Sequence, residues 1–217
     1  MAEENLNMNK IYMKIPLERV GALVGVKGGT KAELEKGTGT RITIDGKSGE
    51  VLIEAPVGCP DPSEILRARD IVTAVGRGFS PLKASRLFSD GQLLEVIDLK
   101  QVIGDSQNKL TRLKGRVIGE NGKTWKLIEQ LASVSLSVYG HTIALIGDYE
   151  EMRVAKEAVE MLLRGCMHGT VYKYLNKEHL ELKKRKFLLW EPRIEIKPAE
   201  EKPKVKKKRK KKAGVKE

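Results

Sequence analysis

Two tetrapeptides with glycines three residues apart each follow a short amphipathic stretch: Gly25-Val26-Lys27-Gly28 and Gly119-Glu120-Asn121-Gly122. A turn this tight, placed before a helix, presents main-chain N–H groups at the helix start. Those donors and the helix dipole favour an anion. Glycine at both ends removes Cβ atoms, so a sugar–phosphate chain can lie against the backbone. The chemistry on offer is the gripping of phosphates, not the breaking of a bond. Asn121-Gly122-Lys123-Thr124 also ends like a nucleotide-binding P-loop. That motif needs a glycine five residues before Gly122, where Val117 stands, and it follows a strand rather than a helix. ATP binding is therefore not expected.

The two turns belong to an internal repeat. At an offset of 94, Gly21, Gly25 and Gly28 fall on Gly115, Gly119 and Gly122, and Thr30 on Thr124. Leu34 falls on Ile128, Ile42 on Leu136 and Ile44 on Val138. After a shorter connection the match resumes at an offset of 87. Asp61-Pro62-Ser63-Glu64 meets Asp148-Tyr149-Glu150-Glu151, and Arg77-Gly78 meets Arg164-Gly165. Each copy opens on an extended apolar run, residues 11–15 and 94–99, with Ile11, Met13 and Ile15 alternating as in a half-buried strand. Short amphipathic helices follow, over residues 17–24 and about 108–118, then the glycine turn and a second helix. In the first copy that helix stops at Gly37-Thr38-Gly39; in the second, Trp125, Ile128 and Leu131 form one apolar stripe. Two strands (41–45 with 50–55, 135–139 with 142–146) and a long closing helix complete each unit. In the second copy Met152, Ala155, Val159, Leu162 and Leu163 give that helix its buried face, and Gly165 ends it. The order is strand–helix–helix–strand–strand–helix, an α+β unit with helices on one face of an antiparallel sheet.

The predicted layout is a flexible start over residues 1–8, a first domain at 9–84, a linker at 85–91, a second domain at 92–175, a helical extension at 176–196 and a disordered Lys-rich tail at 197–217. A short helix over residues 82–88 is expected near the linker. Net charge is +12. Residues 197–217 carry 11 Lys or Arg against 3 Glu, a net of +8, which leaves +4 for residues 1–196. The tail can reach a polyanion without disturbing a core, with affinity that falls steeply with salt. No apolar run approaches the roughly 20 residues of a membrane helix, and the polar start shows no secretion signal. A soluble, cytoplasmic protein with no membrane partner is expected. Cys59 and Cys166 form no CxxC pair, and His141, His168 and His179 have no ligand spacing, so neither disulfide nor metal site nor cofactor is expected. The acidic residues are spread along helices, and no nucleophile–base pair suggests an enzyme.

Val117-Ile118-Gly119-Glu120-Asn121-Gly122-Lys123-Thr124 resembles the signature of the KH family, and the first copy resembles it slightly less well. The element order resembles the type I arrangement, which implies two tandem type I KH domains. KH domains hold single-stranded nucleic acid, typically about four nucleotides, across the GxxG loop. The resemblance offers Gly25, Val26, Lys27 and Gly28 as the first RNA clamp, flanked by Arg19, Lys31 and Arg41. It offers Gly119, Glu120, Asn121 and Gly122 as the second, flanked by Arg116, Lys123 and Lys126. Glu120 repels phosphate unless it points to solvent. Val24, Leu34 and Ile42, with Ile118, Ile128 and Leu136, are candidates for an apolar groove wall, or else simply core. Trp125 either stacks on a base or packs inward.

Up to Trp190 the chain resembles the archaeal tandem-KH protein related to the eukaryotic Krr and Dim/Pno ribosome-assembly factors. The two-copy layout, the spacing of the copies and the segment Gly165-Cys166-Met167-His168-Gly169-Thr170-Val171-Tyr172 carry this. The resemblance implies binding of small-subunit rRNA near its 3′ end. It also implies two protein partners: the PIN-domain endonuclease that makes that end, and the alpha subunit of initiation factor two. The second copy, with the fuller motif, is expected to grip RNA. Two other roles stay open, a non-catalytic subunit of an RNA-processing or degradation complex and a protein scaffold.

Overall fold

The computed structural model describes residues 10–55, 63–104 and 106–190. The expected flexible start, Cys59, the Asp61-Pro62 match and the Lys-rich tail lie outside the described residues.

The first unit runs β1 (Lys10–Lys14), α1 (Leu17–Val24), α2 (Gly29–Thr38), β2 (Arg41–Ile44), β3 (Glu50–Glu54) and α3 (Ser63–Gly76). The second runs β4 (Gln92–Asp98), α6 (Gln107–Ile118), α7 (Lys123–Ala132), β5 (Ser135–Tyr139), β6 (Thr142–Asp148) and α8 (Tyr149–Leu163). Between them lie α4 (Pro81–Ala84) and a 3-10 turn (Ser85–Phe88); α5 (Leu99–Ile103) follows β4, and α9 (His168–Trp190) follows α8. Both sheets are antiparallel, with β3 central between β1 and β2 and β6 central between β4 and β5. The fold is thus α+β, built twice.

Local chemistry sets the element ends. Pro16 precedes α1 with φ −58°, where its missing N–H is harmless. Gly39 ends α2 in the left-handed region, and Thr38 turns its hydroxyl back to the Leu34 carbonyl at 2.8 Å. Ser80 caps α4 by accepting from the Lys83 N–H.

Of residues 85–91, expected to link the copies, the first part is built into the first core, while residues 89–91 are exposed. Leu87 and Ala84 are buried there, with Phe88 packed beside them. The helical extension expected from residue 176 is the continuation of a helix that starts at His168. Its Val171, Leu175 and Leu182 join the second core.

The two sheets differ on their outer faces. In the first, Lys10, Tyr12 and Lys14 lie beside Glu54, Leu52 and Glu50 in the register. This face is open, with Tyr12 75% exposed. In the second, the equivalent row carries Leu94 and Val96 on β4 and Ala144 and Ile146 on β6. These four residues pack into the core of the first unit. Neighbouring β5 adds polar contacts. Ser137 donates to the Arg77 carbonyl (3.0 Å), Arg86 to the Ser135 hydroxyl (3.0 Å), and the Tyr139 hydroxyl to Glu18 (2.9 Å). Gly78, with φ +98°, allows the closest approach, since a Cβ there would sit 2.7 Å from that of Tyr139. The second sheet is therefore covered on both faces: its own helices on one, the first domain on the other.

Because the core is shared, the two units should unfold together in one calorimetric transition. Ile146→Ala should lower stability by about 2–5 kcal/mol, although Ile146 points away from the helices of its own unit. Two separate melting transitions in the parent chain would contradict a shared core.

Candidate nucleic-acid interface

The two GxxG loops have nearly the same backbone. Each opens on a glycine whose N–H closes the preceding helix: Gly25 to the Gly21 carbonyl at 2.9 Å, Gly119 to the Gly115 carbonyl at 2.8 Å. Their dihedrals are φ 72°, ψ −179° and φ 73°, ψ 176°, a region that only glycine occupies readily. A one-turn 3-10 segment follows. Lys27 (φ 51°, ψ 29°) and Asn121 (φ 52°, ψ 28°) are left-handed, as are Gly28 and Gly122. Asparagine tolerates this; a lysine there costs about 1 kcal/mol. The N–H groups of the first turn of α2 or α7 thus stand beside an exposed apex, with Val26 87% exposed and Lys27, Glu120 and Asn121 exposed as well.

The glycines have unequal reasons. A Cβ on Gly25 would lie 2.2 Å from the Thr30 hydroxyl, and one on Gly119 would lie 2.2 Å from the Thr124 hydroxyl. The first glycine of each loop is demanded by the loop's own closure. The second meets nothing within 4 Å, so its requirements are a positive φ and open space above it. The sequence argument that both glycines make room for a sugar–phosphate chain fits only the second.

β2 and β5 are edge strands, and a glutamate from the second helix satisfies each outer edge. Glu35 accepts from the Ile42 N–H at 2.7 Å, and Glu129 from the Leu136 N–H at 3.0 Å. Two further bonds tie the second groove together. Trp125 donates its indole N–H to the Leu136 carbonyl (3.1 Å), and Lys114 reaches the Gly140 carbonyl in the β5–β6 turn (3.0 Å). Of the candidate wall residues, Leu34, Ile42, Ile128 and Leu136 are sealed in the core at 5% exposure or less. Val24 and Ile118 remain half-buried beside the loops. Trp125 is half-buried with its N–H already satisfied. Lys31 holds the matching place in the first copy and is paired with Glu35 at 3.8 Å.

The flanking cations divide into two groups. Lys27, Arg41, Lys123 and Lys126 are exposed. Arg19 and Arg116 spend donors on the protein. Arg19 donates to the carbonyls of Val75 (3.0 Å) and Phe79 (2.5 Å), and lies 5.8 Å over the Tyr139 ring. Arg116 donates to the carbonyls of Leu162 (3.1 Å) and Cys166 (2.6 Å). Each ties together carbonyls at and just beyond the end of a closing helix while keeping positive charge near its loop. The Glu18 carboxylate, hydrogen-bonded to Tyr139, pushes that phenol above its ordinary range.

The sequence reading did not assign Arg112, His168 or Tyr172 to the RNA-binding site. With Arg116, Glu120 and Lys123 they border a depression of about 510 Å³ beside the second loop. Arg112, Gly115, Arg116 and Gly119 follow at spacings of three and four, which places them on one face of α6. That much was visible in the sequence. The contribution of α9 comes from tertiary packing.

Gly119→Ala should destabilise the protein by about 2–5 kcal/mol, through a forbidden φ and a collision with Thr124. Gly122→Ala should cost only about 1–2 kcal/mol. Urea titration measures both, and equal losses would contradict the division of roles.

Residues 10–73 match the KH domain model, and residues 93–180 match the model described as eukaryotic type KH-domain (KH-domain type I). A KH domain-containing protein of Methanocaldococcus jannaschii is 46% identical over 184 residues, 85% of this chain and 80% of that protein. The pre-rRNA-processing protein pno1 of Schizosaccharomyces pombe is 28% identical over 67% of this chain, which spans 61% of its length. Among solved structures, the complex of a/eIF2alpha, aDim2p and rRNA from Pyrococcus horikoshii contains a chain that superposes with a TM-score of 0.74 at 46% identity. The match covers 79% of this chain and 94% of that one. With two KH units in one order, the same loop in each and relatives at this level of identity, the chain belongs to the KH-domain family, in its tandem-KH group of archaeal Dim2p-like and eukaryotic Pno1 proteins.

Proposed function

We propose that the chain binds single-stranded RNA through its GxxG loops, with the second loop as the main grip, and acts in assembly of the small ribosomal subunit. The observation that carries the reading is the pair of exposed loops with matching left-handed apices, each placed at a helix start. Such a loop offers main-chain donors to phosphate and no side-chain obstruction above the second glycine. The second loop has the stronger case: Lys123 and Lys126 are exposed beside it, and an indole is fixed in its groove. The first loop has Lys27 at its apex, but its Lys31 is paired with Glu35.

The relatives' names supply the biological setting: pre-rRNA processing for the fission-yeast protein, and a complex with rRNA and an initiation-factor alpha subunit for the Pyrococcus protein. The sequence resemblance to the ribosome-assembly group narrows the proposed ligand to the 3′-end region of small-subunit rRNA. The protein partners are the initiation factor two alpha subunit and the PIN-domain endonuclease, and the site of action is the cytoplasm. Among the described residues no helix is long and apolar enough to cross a membrane. A role without catalysis is supported by the acidic side chains, many of which are engaged by bases: Glu95 with Lys156, Glu150 with Arg185, Glu151 with Lys186 and Glu160 with Arg164. The Lys-rich tail adds salt-sensitive affinity that is indifferent to sequence.

Glu120→Asp combined with Asn121→Asp places two short carboxylates at the second apex. Affinity for an oligonucleotide of the small-subunit rRNA 3′ end, read by fluorescence anisotropy, should fall at least about tenfold with the fold intact. Val26→Asp with Lys27→Asp should weaken it less. Full affinity in both double variants would leave the scaffold role as the better account.

A further inference from the structure

The depression beside the second loop is not part of the groove against β5. Lys114 and Ile118, which lie on the groove side, are offset around α6 from the stripe of Arg112, Gly115, Arg116 and Gly119. The depression opens on that stripe and is closed on its far side by α9. Two aromatic rings of α9 stand there, His168 and Tyr172, with centroids 6.2 Å apart and planes inclined by 57°. Both are held in place. The Tyr172 hydroxyl shares a hydrogen bond with Thr124 at 2.7 Å, and His168 Nε2 bonds the Arg116 carbonyl at 3.0 Å. Tyr172 is thereby fixed to the same threonine that dictates Gly119.

The charges lining the space are Arg112, Arg116 and Lys123 against the single carboxylate of Glu120. Arg112 and Lys123 are exposed. A volume of about 510 Å³ lies in the range of small-molecule sites, large enough for a nucleotide. Cations suit its phosphate, and positioned rings suit its base or sugar. In the first copy Pro81, Ser85 and Phe88 pack against Thr30 and Leu34 and leave about 10 Å³ between them.

We infer that this depression is a second nucleotide pocket, in which Arg112 and Lys123 hold the phosphate of an RNA residue that has passed over the second loop, flanked by His168 and Tyr172. The inference rests on the loop reading and extends the bound strand beyond the roughly four nucleotides of a KH groove. It also gives α9 a part in recognition.

The test uses the full chain and two single-stranded RNA probes of the rRNA 3′ end, a tetranucleotide and a longer one sharing that core. Arg112→Glu should lower affinity for the longer probe about 5- to 20-fold and flatten its salt dependence, while changing the tetranucleotide by less than about twofold. Arg112→Lys should restore most of the loss. A 4-thiouridine placed beyond the core should crosslink to the peptide holding His168 and Tyr172. Unchanged affinity of Arg112→Glu for the longer probe overturns the pocket, as does an equal loss on both probes. If the Glu120→Asp, Asn121→Asp variant fails to bind while Arg112→Glu binds normally, the loop reading stands and the pocket alone falls. If the parent chain binds neither probe, both fall. Loss of a polyglutamate peptide in Arg112→Glu, with the longer RNA still bound at full affinity, would make this a protein site and end the proposal.

Discussion

At both loops a threonine hydroxyl stands 2.2 Å from the point where a Cβ would be, so the first glycine is required before any ligand arrives. That contact fixes the helix–turn–helix corner. It brings the chain out of α1 or α6 in a conformation closed to other residues and starts the next helix only four residues later. The left-handed apex and the outward N–H groups of the next helix follow from this geometry. On the proposed reading, RNA would meet a shape that internal packing has already imposed, which limits the ordering the loop must undergo on association.

The second copy is braced more heavily than the first. Its groove strand β5 is held along one edge by Trp125 and Glu129 and on its outer face by Arg86, Arg77 and Glu18 of the first unit. One unit thus serves as the rigid backing of the other's groove wall. The first sheet has an open outer face and no comparable brace. This asymmetry, more than the loop sequences, separates two copies that the repeat alone makes look equivalent.

Much of this could be read from the chain. The repeat, the strand order, α1 at residues 17–24 and the two loops follow from local signals, because glycine spacing and apolar periodicity are short-range properties. What escaped was set by distant contacts. The repeat alignment pairs Arg19 with Leu113, yet its counterpart in structure is Arg116, one helical turn further on. Both cap closing helices whose carbonyls lie 56 and 46 residues away. Two-sided burial of the second sheet did leave a trace: Ile143-Ala144-Leu145-Ile146 is continuously apolar, as a strand covered on both faces should be. Glu50-Val51-Leu52-Ile53-Glu54 is bounded by charge and keeps one face in solvent.

The most direct measurement is an amide chemical-shift titration of the isotopically labelled chain with an rRNA 3′-end oligonucleotide. The account predicts that the largest and earliest shifts fall on the amides from Gly119 to Lys123, with smaller ones from Gly25 to Gly29. Shifts confined to the open face of the first sheet around Tyr12 and Leu52, with the loop amides unmoved at saturation, would contradict it.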